Sequence, residues 1–242
     1  LSMETAAAAG NFPAARREGG VIAIPNETST VETRRIHSSP LQNRVAPTGE
    51  IEAVAARGNF TGNRGVLHDN DKNLLPARWK HRNWIVCELQ FKSIHRNVMT
   101  PRRWTELFFL DEAVALAAGH RPCAKCRRGA YNAYISALKK SGVDICSDFQ
   151  RLDASLHRER AVPGARVCRH HKARLEDLPD GAFVLAAGTP ALVIQDKILP
   201  WSHYGYGFPM PRFVGEVVLL TPPLSIKAMN SGFRPIIHPS AA

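Results

Sequence analysis

The spacing of apolar residues predicts a mixture of strands and helices after residue 44. An alternation of period two indicates a half-buried strand over residues 83–92, whose buried face would carry Ile85, Cys87, Leu89 and Phe91. The apolar run over residues 105–110 predicts a second strand. Asp111 then suits the N-cap of a helix over residues 112–118, which Gly119 would end.

Further helices are predicted over residues 128–140, with an apolar stripe of Tyr131, Tyr134, Ile135 and Leu138, and over residues 152–160. Beyond residue 178 the pattern favours strands. Residues 182–187 and 191–195 flank a turn at Gly188 like a hairpin, and residues 213–220 form another strand. Residues 201–208 are expected to be an aromatic, glycine-rich loop.

These elements predict an α+β fold with three regions along the chain. Residues 1–44 have no sustained period and few large apolar side chains, so we expect a disordered extension. Residues 45–174 would form a basic half, with a few helices and a short sheet around a Cys-x-x-Cys turn. Residues 175–242 would form a small β-rich half packed on it.

The charge distribution points to a polyanionic partner. The net charge of the chain is +11, and residues 57–174 hold 23 basic against 10 acidic residues. So basic a block favours nucleic acid as the partner, and the alternative is a solvated surface without a specific partner.

The apolar pattern also bears on where the protein resides. No run of 18 apolar residues predicts a membrane span, and no basic segment followed by a long apolar stretch indicates a secretory signal. We therefore expect a cytoplasmic protein without a membrane partner, and no motif for a small-molecule cofactor is evident.

Cys123 and Cys126 are the strongest candidates for chemistry. Their Cys-x-x-Cys spacing lets both sulfurs reach one tetrahedral ion, and the surrounding basic residues favour the thiolate. A redox dithiol is the alternative. However, a thioredoxin-like motif follows a strand and opens a helix, whereas this one follows a predicted helix and its glycine stop.

Residues 108–109 and 111–127 closely resemble the second half of the Ada-type metal-binding domain. The shared pattern is a Phe-Phe strand, an alanine-rich helix and then Gly-His-Arg-Pro-Cys-Ala-Lys-Cys-Arg. This resemblance implies that Cys123 and Cys126 bind zinc and that the module contacts a DNA backbone. Outside this stretch the chain resembles an uncharacterised bacterial family, which implies no particular activity.

The upstream Cys-x-x-x-Cys that supplies the other ligands of the Ada-type domain has no counterpart here. The nearest analogue, residues 65–70, suggests His68 as the third ligand. Cys87 is the rival, although its apolar neighbours favour a core thiol. In the Ada-type family a zinc-bound cysteine thiolate can accept a methyl group from a DNA phosphotriester. A histidine at that position would remove the thiolate, so the resemblance does not imply this methyl-transfer activity here. The candidates for a fourth ligand are Cys146, Cys168, His170 and His171.

Several residues are candidates for contact with nucleic acid. The expected phosphate contacts are Arg64 in the basic loop of residues 57–65 and, around the turn, Arg121, Lys125, Arg127 and Arg128. Two aromatic groups could stack on bases, although packing in the core is the preferred interpretation of both. They are Trp201, His203, Tyr204 and Tyr206, and Trp79 and Trp84 among Arg78, Lys80, His81 and Arg82.

The sequence thus favours a protein that binds a structural zinc ion and engages nucleic acid, DNA in preference to RNA, through its basic half. Whether it is an enzyme stays open. A metal- or histidine-dependent hydrolase of the nuclease or glycosylase kind is the first alternative, with candidates His68, Asp69, Glu106, Asp111, Glu112, His120, His157 and Glu159. A protein–protein adaptor is the second.

Overall fold

The computed structural model describes residues 40–92, 97–144 and 148–242. These residues form a mixed α+β fold with two sheets and four helices, which confirms the predicted class. Of the predicted extension, residues 1–39 lie outside the described residues, and residues 42–44 belong to the first strand. None of the described helices combines the length and the apolar character that crossing a bilayer requires.

The first sheet brings two distant parts of the chain side by side. Its six strands are β1 (Gln42–Val45), β2 (Ile51–Ala53), β3 (Phe60–Asn63), β4 (Ile85–Glu88), β5 (Leu107–Phe109) and β6 (Arg121–Pro122), in the order β2-β1-β5-β3-β4-β6. The short strand β6 runs parallel to β4, with Ile85 opposite Arg121 and Val86 opposite Pro122. The chain that leaves β6 therefore continues next to Cys87.

Helix α1 (Glu112–Ala117) begins where the sequence predicts. The Asp111 carboxylate caps it by accepting a hydrogen bond from the Val114 amide at 2.9 Å. Gly119 follows with φ +84°, a left-handed conformation that suits glycine and ends the helix. Every residue of α1 is buried, so this helix lies in the core rather than on the surface.

Helices α2 (Arg128–Lys140) and α3 (Phe149–Arg160) confirm the predicted helices, and α3 begins three residues earlier than predicted. The apolar stripe of α2 is shifted from the prediction. Tyr134 and Leu138 are buried together with Ala137, whereas Tyr131 and Ile135 are only partly buried. The Arg121 guanidinium lies over the Tyr131 ring at 5.4 Å, so this ring faces a cation instead of the core.

The second sheet contains β7 (His171–Arg174), β8 (Phe183–Ala186), β9 (Thr189–Ile194), β10 (Lys197–Ser202), β11 (Gly205–Tyr206), β12 (Met210–Pro211) and β13 (Glu216–Leu219). The hairpin around Gly188 is confirmed by the antiparallel pairing of β8 and β9. Residues 201–208 do not form the predicted loop throughout, because β10 and β11 pair as a second hairpin through Trp201 and Tyr206.

Helix α4 (Pro223–Asn230) was not predicted. The Pro222-Pro223 pair suggests a break, but proline is well suited to the first helical position, where no amide hydrogen bond is lost. Leu224 and Met229 of this helix pack in one cluster with Tyr134 and Leu138 of α2. The C-terminal region therefore contributes a helix to the packing of the basic half.

The predicted buried face of β4 was wrong. Trp84 and Val86 are buried, and Val86 belongs to the main core, whereas Leu89 is 43% exposed. The strand ends at Glu88, so Leu89 and Phe91 lie beyond it. Cys87 therefore lies on the opposite face from the core, which frees its thiol for other partners.

Candidate metal centre

Three thiols meet at the edge of the first sheet. The Sγ atoms of Cys87, Cys123 and Cys126 all lie within 4.8 Å of one another. Thiolates around a tetrahedral zinc ion, with metal–sulfur distances of about 2.3 Å, lie about 3.8 Å apart, so small side-chain shifts would bring these sulfurs onto one ion. Cys87 and Cys123 are buried, and Cys126 is partly exposed.

Backbone hydrogen bonds hold the turn that presents two of these thiols. The Cys123 amide donates to the Val86 carbonyl at 3.0 Å, which extends the parallel pairing of β4 and β6. The Arg127 amide donates to the Cys123 carbonyl at 3.0 Å, and the Lys125 amide approaches the Cys123 sulfur at 3.4 Å. The turn therefore returns on itself and directs Cys126 toward Cys123.

The three thiols share their protons unequally. Hydrogen bonds from Cys126 and then from Cys87 lower the pKa of Cys123 well below its ordinary value. Donation to Cys123 raises the pKa of both Cys87 and Cys126. Of the three sulfurs, Cys123 therefore loses its proton most readily, and Cys87 and Cys126 hold theirs more tightly.

This distribution predicts a steep pH dependence for metal binding. A divalent ion bound by all three sulfurs must displace the protons of Cys87 and Cys126, because the pKa of both thiols is raised. The association constant should therefore rise about 100-fold per pH unit near neutrality. Competition with a chromophoric chelator between about pH 6 and pH 8 measures this slope, and a rise of tenfold or less per unit would contradict the proton assignment.

The structure does not bring His68 to the thiols. One ring nitrogen of this buried side chain lies 2.7 Å from the Thr105 hydroxyl, and the other lies 3.2 Å from the Thr100 carbonyl. Cys87 occupies the position that the sequence analysis gave to His68. The correction follows from the face of β4, because an alternation of period two cannot say which of its two faces meets the core.

The other candidate ligands also lie apart from the cluster. The Cys168 side chain packs against Gly49, where it would collide with any Cβ atom. His171 hydrogen bonds to the Glu159 carbonyl at 2.9 Å, and His170 is exposed. Cys146 lies outside the described residues. Within the described ranges, the group that could hold a metal ion consists of the three thiols.

Three of the five predicted phosphate contacts are buried and have other partners. Arg121 forms a two-pronged ion pair with Asp153, with both nitrogen–oxygen distances at 2.7 Å. Arg127 lies between Glu112, at 2.5 Å, and Glu88, at 2.9 Å. Arg64 is fully buried. Only Lys125 and Arg128 of this set are exposed, so the turn offers less positive surface than its sequence suggests.

The acidic and histidine residues of the hydrolase hypothesis do not converge. The Asp69 carboxylate holds its own turn through the amides of Asp71 and Asn73. Asp111 caps α1 and also accepts hydrogen bonds from the Tyr206 hydroxyl and the His238 amide. The remaining acids of the set likewise have structural partners: Glu106 accepts from the Met99 amide, Glu112 pairs with Arg127, and Glu159 accepts from the Leu224 amide.

The two predicted aromatic groups differ in their surroundings. Tyr206 is tied to Asp111 and packs near Phe183, so it belongs to the core. Trp84 is fully buried, but Trp79 lines a cavity of about 730 Å³. Sequence reasoning missed the other walls of this cavity, although the crowding of Arg158, Arg166 and Arg169 in a short segment was a visible signal.

Comparison of the chain with protein families, curated proteins and solved structures gives no match. The geometry of the described residues is therefore the basis for assigning a function.

Proposed function

We propose that the protein binds one zinc ion through Cys87, Cys123 and Cys126, that the ion is structural, and that the protein engages nucleic acid through its basic half. The observation that carries the proposal is the meeting of these three thiols at one point. Soft thiolate ligands in a tetrahedral arrangement favour zinc over the hard cations magnesium and calcium.

A structural role follows from the position of the ligands. The ion would connect strand β4 to the turn before α2, next to the two-residue strand β6 and the ion pair of Arg127 with Glu88. The turn carries Lys125 and Arg128 on its exposed side, so it has little apolar surface with which to hold itself. Metal binding supplies folding free energy directly to such a segment. The resemblance of residues 108–128 to the Ada-type domain supports the same assignment.

The nucleic-acid part of the proposal is supported by charge. Residues 57–174 carry 13 more basic than acidic residues, and cations at this density attract a phosphate backbone with little need for base contacts. The four cysteines of the described residues are free thiols, which suits a reducing compartment, and we place the protein in the cytoplasm. The Ada-type resemblance favours DNA over RNA.

The test measures metal and nucleic acid in the same purified sample. We expect one zinc per chain by elemental analysis, and oligonucleotide affinity that falls linearly with salt on a logarithmic scale. Absence of stoichiometric zinc after purification with the metal supplied would refute the metal assignment. Affinity that is insensitive to salt would refute the nucleic-acid assignment and favour a protein partner.

A hydrolase is the second candidate, because three protein ligands leave the fourth position of a tetrahedral ion open, as catalytic zinc sites do. Zinc in an open site lowers the pKa of bound water and so generates a nucleophile. Cleavage of a labelled oligonucleotide that stops on chelation and returns with zinc would favour this candidate. Binding without turnover would favour the structural role.

A further inference from the structure

The charged side chains that line the cavity beside Trp79 are all arginines, set among small apolar residues. It lies between residues 77–82 and the segment that runs from the end of α3 to residue 169, and its volume is about 730 Å³. Its lining contains no carboxylate. The arginines that line it are Arg78, Arg82, Arg158, Arg166 and Arg169. His157 also lines it, but burial lowers the pKa of this imidazole to about 4, so it adds no charge at neutral pH.

No carboxylate of the described residues forms an ion pair with these arginines. Arg78 donates to the Leu75 carbonyl at 2.7 Å, and Arg158 donates to the Ser155 hydroxyl at 2.9 Å, so both keep their full charge. The cavity is therefore suited to an anion with several charged groups.

Two further guanidinium groups lie on the Trp84 ring, which packs against Trp79 of the cavity wall. Arg64 and Arg160 are buried on the Trp84 ring, each at 4.3 Å from its centre. Burial lowers the pKa of Arg64 to about 10 and that of Arg160 to about 9, so both stay charged at neutral pH. The nearby carboxylate of Asp153 is engaged by Arg121. These two buried charges therefore add to the positive potential near the cavity instead of offsetting it.

One wall of the cavity is an ordered aromatic ring. Trp79 packs against Trp84 with ring centres 5.4 Å apart and meets the His157 ring edge-on at 6.2 Å. These contacts fix the ring while leaving part of it exposed to the cavity. An unpaired base can stack on an indole ring that is held in place, while neighbouring guanidinium groups bind its phosphates.

The arginine-bearing loop is also held in place. The Arg169 amide donates to the Arg160 carbonyl at 2.8 Å, and a β-bridge joins Ala161 to Cys168. The Cys168 side chain packs against Gly49 at the base of the loop. Arg166 and Arg169 are therefore presented from a closed loop, which reduces the ordering cost of binding.

We propose that this cavity binds a nucleotide unit of single-stranded nucleic acid, with the arginines on its phosphates and Trp79 against its base. The proposal rests on the proposed function and gives it a location away from the Cys-x-x-Cys turn. The volume lies in the range of small-ligand sites, about 300–1,000 Å³, so the cavity is large enough for an unpaired nucleotide. Planar guanidinium groups bind phosphate oxygens in pairs, and the ring favours nucleotides over an acidic peptide.

The test compares two variants that each remove two positive charges. The zinc-loaded full chain is titrated into a fluorescently labelled oligothymidylate of 12 nucleotides, and binding is followed by fluorescence anisotropy. We expect R166A/R169A to weaken binding at least about tenfold and to lower the salt slope by about 1.4, because each lost single-strand phosphate contact contributes about 0.7. The matched control K139A/K140A lies in the last turn of α2, outside the cavity lining, and should bind like the wild type.

A second arm examines the base. Trp79→Leu should weaken binding of oligothymidylate about tenfold, but it should not change binding of an abasic oligomer of the same length. Zinc content and thermal unfolding are measured for every variant. If R166A/R169A does not fold, R158Q/R166Q replaces it, because both side chains are exposed and glutamine keeps most of their length.

Each outcome separates the cavity from the wider function. If R166A/R169A and K139A/K140A weakened oligonucleotide binding equally, the cavity proposal would be overturned. The proposed function would stand, with nucleic acid bound by the basic surface as a whole. No binding of any oligonucleotide by the wild type would overturn both. Equally tight binding of polyglutamate or inorganic phosphate would show a general anion site and would overturn the assignment to nucleic acid.

Discussion

Cys87→Ser is expected to raise the dissociation constant for zinc at least about 100-fold. A structural zinc ion supplies about 10–16 kcal/mol of binding free energy, so one of three thiolates accounts for several kcal/mol. A 100-fold loss of affinity removes about 2.7 kcal/mol of metal-linked stability, and this corresponds to roughly 5–10 °C in melting temperature for a domain of this size. Competition with a chromophoric chelator measures the change in zinc affinity, and thermal unfolding with and without excess chelator measures the change in stability.

Two control variants make this result specific. Cys168→Ser makes the same substitution at a thiol outside the cluster, so its zinc content should equal that of the wild type. His68→Ala should also retain zinc, because both ring nitrogens of His68 have partners away from the thiols. An unchanged zinc affinity in Cys87→Ser, or a weakened one in His68→Ala, would show that the ligand set derived from the structure is incorrect.

The Cys-x-x-Cys half of the site could be found from sequence because its geometry is local. The spacing of Cys123 and Cys126 requires only a tight turn, and Asp111 and Gly119 mark the helix before it. The third thiol comes from 36 residues earlier in the chain and depends on the pairing of β4 with β6. The alternation around Cys87 predicted a strand correctly but could not determine which of its faces packs on the core.

The ion-pair partners of the arginines were harder to predict, because the sequence does not reveal which carboxylate lies near each arginine after folding. Arg121 pairs with Asp153 and Arg127 with Glu88, across 32 and 39 positions of sequence. Conversely, Arg166 and Arg169 line the cavity and form no ion pair within the part of the chain that the structure describes, although nothing local distinguishes them from Arg121. Regular elements follow from local pattern, whereas ion pairs follow from tertiary contacts that a pattern does not contain.

The second large effect is expected at Arg127, whose side chain joins three parts of the fold. Its guanidinium contacts the buried Glu112 carboxylate at 2.5 Å, the Glu88 carboxylate at 2.9 Å, and the Phe60 ring at 4.4 Å. Arg127→Ala would leave Glu112 buried with only the Ile236 amide as a partner. Removing one member of a buried pair costs about 3–5 kcal/mol, because the remaining charge is uncompensated.

Urea unfolding of the chelated protein measures this cost without a contribution from the metal. The neighbouring Arg128→Ala is the matched control, and because Arg128 is exposed its effect on the unfolding free energy should stay within about 0.5 kcal/mol. The double variant E112Q/R127M should cost at least about 1 kcal/mol less than its two single substitutions together, since it leaves no buried charge unpaired. If Arg127→Ala instead left stability unchanged and weakened oligonucleotide binding, Arg127 would act as the phosphate contact that its sequence position suggests.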